Sequence, residues 1–146
     1  MKKRRRLALI ECGEVWSDTP AKVCDMYRGT RFLAALAYTE SMDYRYVISC
    51  HFGLLRLEEV IAEPRESDIN TIGFDMRDQW AREITTALSA HIQAGTHIVV
   101  LANDLYAAPL KLYLPGSTEY PFTGMDEEAQ KRFLGITKRQ MELGLN

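Results

Sequence analysis

Three short apolar runs in this chain end abruptly on small or polar residues. Leu7-Ala8-Leu9-Ile10 stops at Glu11-Cys12-Gly13, Val47-Ile48 at Ser49-Cys50-His51-Phe52-Gly53, and Ile98-Val99-Val100-Leu101 at Ala102-Asn103-Asp104. Short apolar runs bounded by turn formers read as buried strands, here over 6–12, 46–50 and 97–101. Between them the period lengthens. Phe32, Leu33, Leu36 and Ala37 predict a helix that starts near 21 or 30 and runs to 42. Met76, Trp80, Ile84, Leu88 and Ile92 recur every four residues and predict a helix over 75–94, stopped by Gly95. A short helix is expected over 106–114, ended by Pro115-Gly116, and an extended segment over 120–122. A last helix over 125–143 opens with Asp126, Glu127 and Glu128, where the helix dipole favours negative charge.

The stretch 53–73 holds Leu54, Leu55, Val60, Ile61 and Pro64 but reads as one long connection, of a length usually functional or disordered. Strands alternating with helices predict an α/β fold, a mostly parallel central sheet with helices on both faces. Ligands of such open sheets bind outside the carboxyl ends of the strands. The three polar strand ends therefore mark where a site is expected.

Composition narrows the class. With 146 residues, 47% hydrophobic and 26% charged, the chain reads as a basic leader, 1–6, and a single domain, 7–146. A net charge of −2 gives no bulk electrostatic case for nucleic acid. The leader run Lys2-Lys3-Arg4-Arg5-Arg6, with Lys131, Arg132, Lys138 and Arg139 toward the other end, is either a solvated face or a set of phosphate contacts. The apolar segment behind the leader spans only Leu7 to Ile10, too short for a secretory signal, and no stretch approaches a membrane span. Cys12, Cys24 and Cys50 are odd in number and lack metal-ligand spacing, which fits a reduced cytoplasmic protein.

The candidate chemistry sits at the strand ends. Without G-x-G-x-x-G, P-loop, H-E-x-x-H or C-x-x-C, no cofactor and no metal is expected. His51 directly follows a strand and reads as a site residue or as a capped loop histidine; His91 and His97 read as structural or surface residues. Glu11 and Asp104 are placed to act as general base or to stabilise positive charge, with a helix N-cap as the competing role for Asp104. Gly53 supplies a positive φ or a close approach of backbone to ligand, or simply a turn. Tyr27 and Arg28, with Tyr106 at the third strand end, form an aromatic and basic set suited to a base and a phosphate.

Taken in order, Cys12-Gly13, then Asp25-Met26-Tyr27-x-Gly29-x-x-Phe32, then Ser49-x-x-x-Gly53-Leu54-Leu55-x-x-x-Glu59-Val60-Ile61, resemble a family of small bacterial and phage domains. Trp80, Leu101-Ala102 and Tyr106 match its later elements. The layout is also similar to the uracil-DNA-glycosylase-like domain of archaeosine synthase. That resemblance implies a three-layer α/β fold whose cleft handles a nucleobase or nucleoside. This chain departs from the pattern at Glu14-Val15-Trp16, where the family has a lysine after its opening cysteine, and at His51, which replaces another. Pro64-Arg65-Glu66 stands for P-Y-D, and Ala102-Asn103 for A-G.

Two functions follow as expectations. The first is an N-glycosidic-bond hydrolase or transferase acting on a nucleobase in nucleic acid or on a nucleoside or nucleotide. Glu11 or Asp104 would then serve the sugar and His51 the base, with Tyr27 and Tyr106 stacking and Ser49 and Asn103 reading the base edge. The second is a non-catalytic nucleotide or nucleic-acid binder, of a phage accessory or defence type. Cys12, Gly13, Arg28 and Gly53 belong to the binding set in both. Partners are a nucleobase-containing small molecule or nucleic acid, and no membrane.

Overall fold

A computed structural model describes residues 4–13, 15–62 and 72–135 of the chain. Its central sheet has four strands: β1 (Arg6–Glu11), β3 (Tyr44–Ser49), β4 (Gly53–Arg56) and β6 (His97–Leu101), in the order β4-β3-β1-β6. β1 is central and parallel to both neighbours, Glu11 standing opposite Ile48 and Ile10 opposite Leu101. The three strands expected from the apolar runs therefore lie side by side and end together. The sheet is mostly parallel, as the alternation of elements implies.

The remaining strands lie in stretches that carry no readable period. β4 pairs antiparallel with β3 through a tight turn in which Ser49 faces Gly53, at φ 78°. Gly53 thus owes its place to a left-handed turn position that L residues adopt only with strain. A second small sheet joins β2 (Ala21–Lys22) to β5 (Val60–Ile61). The long connection is therefore partly ordered into β4 and β5, while Pro64, Arg65 and Glu66 lie outside the described residues.

The helix expected to begin at 21 or 30 divides into α1 (Val23–Met26) and α2 (Thr30–Tyr38). Tyr27, Arg28 and Gly29 separate them, and extended φ/ψ at Tyr27 and Gly29 breaks the helical run. α3 (Phe74–Ser89) and α5 (Glu127–Phe133) start close to expectation, Asp126 capping α5 by accepting the Ala129 N–H at 2.8 Å. The part of the last helix expected beyond 135, with Lys138 and Arg139, lies outside the described residues. α4 (Asp104–Leu110) begins two residues earlier than the pattern indicated. The extended segment expected at 120–122 sits one position earlier: Glu119 bridges Val99 in parallel, and a turn follows.

Alternate residues of β1 enter two separate cores. Ala8 and Ile10 pack with Phe32 and Ala35 of α2, Tyr27, Phe122 and Leu134. Leu7 and Leu9 pack with Trp80, Ile84 and Leu88 of α3 and with Tyr106, Ala107 and Leu110 of α4. Each fully buried aliphatic side chain contributes about 1.5–3 kcal/mol, so both cores help hold β1 in place. Among the described residues no helix is long and apolar enough to cross a membrane.

Candidate functional site

Four polar side chains close a ring beyond the ends of β1 and β6. Arg31, in the first turn of α2, donates to Glu11 Oε2 at 2.6 Å and to Gln130 Oε1 of α5 at 2.9 Å. Gln130 Nε2 donates to Asn103 Oδ1 at 2.7 Å, and Asn103 donates its side-chain amide to Glu11 Oε2 at 3.1 Å. The Asn103 backbone N–H adds a further bond to Glu11 Oε1 at 2.6 Å. Glu11 is 7% exposed and Gln130 1%. Buried polar groups at this depth need partners to avoid a large desolvation penalty, and Glu11 and Gln130, the two most buried members, each make three such bonds. Glu11 and Asn103 are thus brought together as the strand ends implied. Arg31 and Gln130 completed the ring from elements whose sequence gave no motif; the legible trace was Gln130 falling four residues before buried Leu134.

Beside the ring lies a cavity of about 190 Å³ lined by Gly13, Val15, Arg31, Lys131 and Glu127, and by the first turn of α2 from Gly29 to Phe32. Among the described residues no side chain caps that helix start. Its first N–H groups carry the positive end of the dipole. Lys131 is 9% exposed and lies 3.8 Å from Glu127 across α5. The wall combines two cations, one carboxylate and helix N–H donors, chemistry suited to an anion of phosphate size.

A second group lies where β1 and β3 end. Ser49 Oγ accepts the N–H groups of His51 at 3.2 Å and Phe52 at 3.1 Å, holding the turn. The Ser49 carbonyl accepts the Trp80 indole N–H at 2.9 Å, which explains a tryptophan on the inner side of α3. Trp80 in turn meets Tyr106 edge-on, ring centroids 5.4 Å apart. The Tyr106 hydroxyl lies 3.8 Å from Cys12 Sγ. Burial raises the Cys12 thiol to about 11, the Glu11 charge raising it further, against hydrogen bonds from Tyr106 and the Cys50 backbone. Burial likewise raises both Tyr27 and Tyr106, and the neighbouring Cys12 adds to each. These three groups keep their protons at neutral pH.

The other expected site residues are placed differently. Tyr27 is 1% exposed, its ring tilted on Phe32 at 5.3 Å. Gly13 lines the cavity, and a Cβ there would stand 3.5 Å from the Cβ atoms of Tyr27 and Phe32. Arg28 is exposed and joins the group through its backbone N–H, which donates to the Val15 carbonyl at 2.8 Å. His51 is exposed, its ring 4.5 Å from that of Phe52. Asp104 is exposed and accepts the Gly124 N–H at 3.4 Å. Asn103, rather than Asp104, occupies the N-cap position of α4, and its side chain makes no cap bond to the helix, being turned to Glu11 and Gln130 instead. Glu14 lies outside the described residues. Among the described residues no three His, Cys, Asp or Glu are grouped to hold a metal.

The described leader residues Arg4 and Arg5 are far from these groups. Arg4 donates to the Gly95 carbonyl at 2.8 Å, and Arg5 to the Tyr44 hydroxyl. Both partners lie at the amino ends of β6 and β3, roughly 17 Å from the opposite ends at the usual strand rise.

A family model described as a family of unknown function (DUF6884) matches residues 7–136, and the chain belongs to this family. Comparison with curated proteins finds no match.

Proposed function

We propose that this DUF6884 protein binds a ligand carrying both a nucleobase and a phosphate, a nucleotide or a segment of nucleic acid, beyond the carboxyl ends of β1, β3 and β6. The observation that carries the reading is the cavity of about 190 Å³ walled by Arg31, Lys131 and the start of α2. A phosphate there meets fixed N–H donors and two cations, the usual grammar of anion sites at helix starts. The nucleobase half rests on the resemblance of the strand-end motifs to uracil-DNA-glycosylase-like domains. The two separate core clusters support a three-layer sandwich with helices on both faces of the sheet. On that reading α2 and α4 lie against opposite faces of the sheet, which makes the carboxyl ends of β1 and β6 the switch point where open α/β sheets bind ligands.

Binding is favoured over catalysis by the state of the candidate groups. Both Glu11 oxygens are committed to Arg31 and Asn103. Cys12 is held protonated, and a thiol is a poor nucleophile. Asp104 and His51 are at the surface. A second reading, cleavage or exchange of an N-glycosidic bond, is kept by one observation: Glu11 presents a buried carboxylate beside the cavity wall, where it would oppose positive charge developing on a sugar.

One experiment separates them. The protein is incubated with DNA, RNA and a panel of nucleosides and nucleotides, while equilibrium binding and release of free base by mass spectrometry are followed in parallel. Saturable binding that weakens on Lys131→Met, without free base, supports the binder. Base release abolished by Glu11→Gln establishes the glycosidase instead. The absence of both binding and release would remove the nucleobase reading.

A further inference from the structure

A basic and aromatic surface lies at the other end of the sheet from the cleft. Side chains along β3 and β4 alternate between the two cores. Val47 and its cross-strand partner Leu55 enter the core under α2. Tyr46 and its partner Arg56 therefore stand on the opposite face, the one Ile48 and Leu54 share with α3. Tyr44 lies on that face two residues earlier. Both tyrosines pack against the α3 core and stay partly exposed.

Cations are interleaved with these rings. Arg5 donates to the Tyr44 hydroxyl at 2.5 Å and holds its guanidinium 5.9 Å from the centre of the Tyr44 ring. Arg56, its side chain 73% exposed, faces Tyr46 across the strand pair, where opposed Cβ atoms stand about 4.5–5.5 Å apart. His91, just beyond α3, is exposed, and its ring lies within 29° of the Tyr46 plane with centroids 6.5 Å apart. Two acids lie at the same end, each accepting a backbone N–H: Glu59 that of Arg56 at 3.1 Å, Asp43 that of Arg6 at 2.8 Å. Arg4, Arg5, Arg6 and Arg56, all exposed, outnumber them. Guanidinium groups set among ring faces suit single-stranded nucleic acid, with charge for its backbone and π-faces for its bases. An acidic peptide would use the arginines alone. We infer that the face formed by Arg5, Tyr44, Tyr46, Arg56 and His91 binds single-stranded nucleic acid. This site does not rest on the cleft: Tyr44 and Ser49, the two ends of β3, are roughly 17 Å apart at the usual strand rise.

The test uses the full chain with a thymidine oligonucleotide of about 12 residues, within the usual site sizes. The same oligomer without bases, a thymidine mononucleotide and vesicles of anionic phospholipid serve as the other probes. Arg5→Gln with Arg56→Gln should weaken the oligonucleotide about tenfold or more and lower its salt slope by about 1.4, the worth of two single-strand phosphate contacts. Mononucleotide binding should stay at the wild-type level. Arg56→Gln alone, at an exposed side chain that leaves the fold intact, should shift both readings in the same direction. Tyr46→Leu keeps an apolar side chain on the α3 core and should weaken the oligonucleotide about fivefold or more, with the base-free oligomer bound as before. Oligonucleotide binding unchanged in the double arginine variant overturns the inference. Equal weakening of both oligomers by Tyr46→Leu overturns the base contact and leaves a charged patch only. A wild type that binds the vesicles but not the oligonucleotide gives the surface to a membrane instead. Loss of the mononucleotide on Lys131→Met, with the oligonucleotide retained, supports two separate sites.

Discussion

Asn103 holds Glu11 twice, through its backbone N–H at 2.6 Å and its side-chain amide at 3.1 Å. The two residues are 92 positions apart in the chain, yet the register of β1 beside β6 brings Ile10 opposite Leu101 and leaves both ends level. Those two hydrogen bonds and the Arg31 ion pair make Glu11 first of all the organiser of the polar ring.

Replacing Glu11 by Gln removes a charge from the ring and turns an amide N–H₂ toward donors. Breaking a buried pair from one side leaves the other charge uncompensated, so the expected loss is about 2–4 kcal/mol. Denaturant unfolding of Glu11→Gln measures it. A loss below about 0.5 kcal/mol would mean that the ring contributes nothing net to the fold.

Gln130 is the single described side chain that ties α5 into this ring, by bonds to both Arg31 and Asn103. Gln130→Leu keeps the volume and deletes both ring bonds, together with the bond to the Met125 carbonyl, at a cost of about 1–3 kcal/mol. Amide hydrogen exchange should quicken along α5 while β1 and β6 stay protected. Uniform protection in the variant would show α5 to be held by its apolar contacts alone.

Cys12 gives a pH signature with a definite sign. Its pKa rises on folding from 9.0 to about 11. Below pH 9 the thiol is protonated in both states and the contribution is complete. From pH 9 to 11 the unfolded chain sheds the proton that the fold retains, so stability falls by up to about 2–3 kcal/mol. Tyr27 and Tyr106, raised in the same direction, extend the loss above pH 10. Cys12→Ala should flatten the first part of the curve in a Tm-against-pH series. At pH 8 the native thiol should carry about a hundredfold less thiolate than an ordinary cysteine, and its alkylation rate should be lower to match.

Arg4 and Arg5 touch the opposite end of the sheet from the cleft. Exchanging both for alanine should leave nucleotide affinity within about twofold at fixed salt, whereas Arg31→Ala should weaken it tenfold or more. A loss confined to the Arg4 and Arg5 variant would place the phosphate contact at the leader instead.

The three parallel strands and their common end were legible because each is a short apolar run halted by polar residues, a signal that needs no knowledge of neighbours. The period of four through Trp80, Ile84 and Leu88 marked α3 for the same reason. β2 and β5 were not legible, since two-residue strands carry no period, and Ala21 finds Ile61 only after the chain has folded. β4 was hidden by Gly53, read as part of a loop and in fact the pivot of a hairpin with Ser49.

The sequence by itself determined where the polar ends of β1, β3 and β6 fall, and that Glu11, Cys12, Ser49, Asn103 and Tyr106 stand at or just beyond them. Only tertiary structure decided how those residues stand. It supplied Arg31 and Gln130 from distant helices, turned the rings of Tyr27 and Tyr106 into the cores, and left His51 and Asp104 at the surface. The physical reason is that apolar pattern is a property of neighbours along the chain. Pairing and burial of polar atoms are set by whichever groups the packed elements bring to the same place.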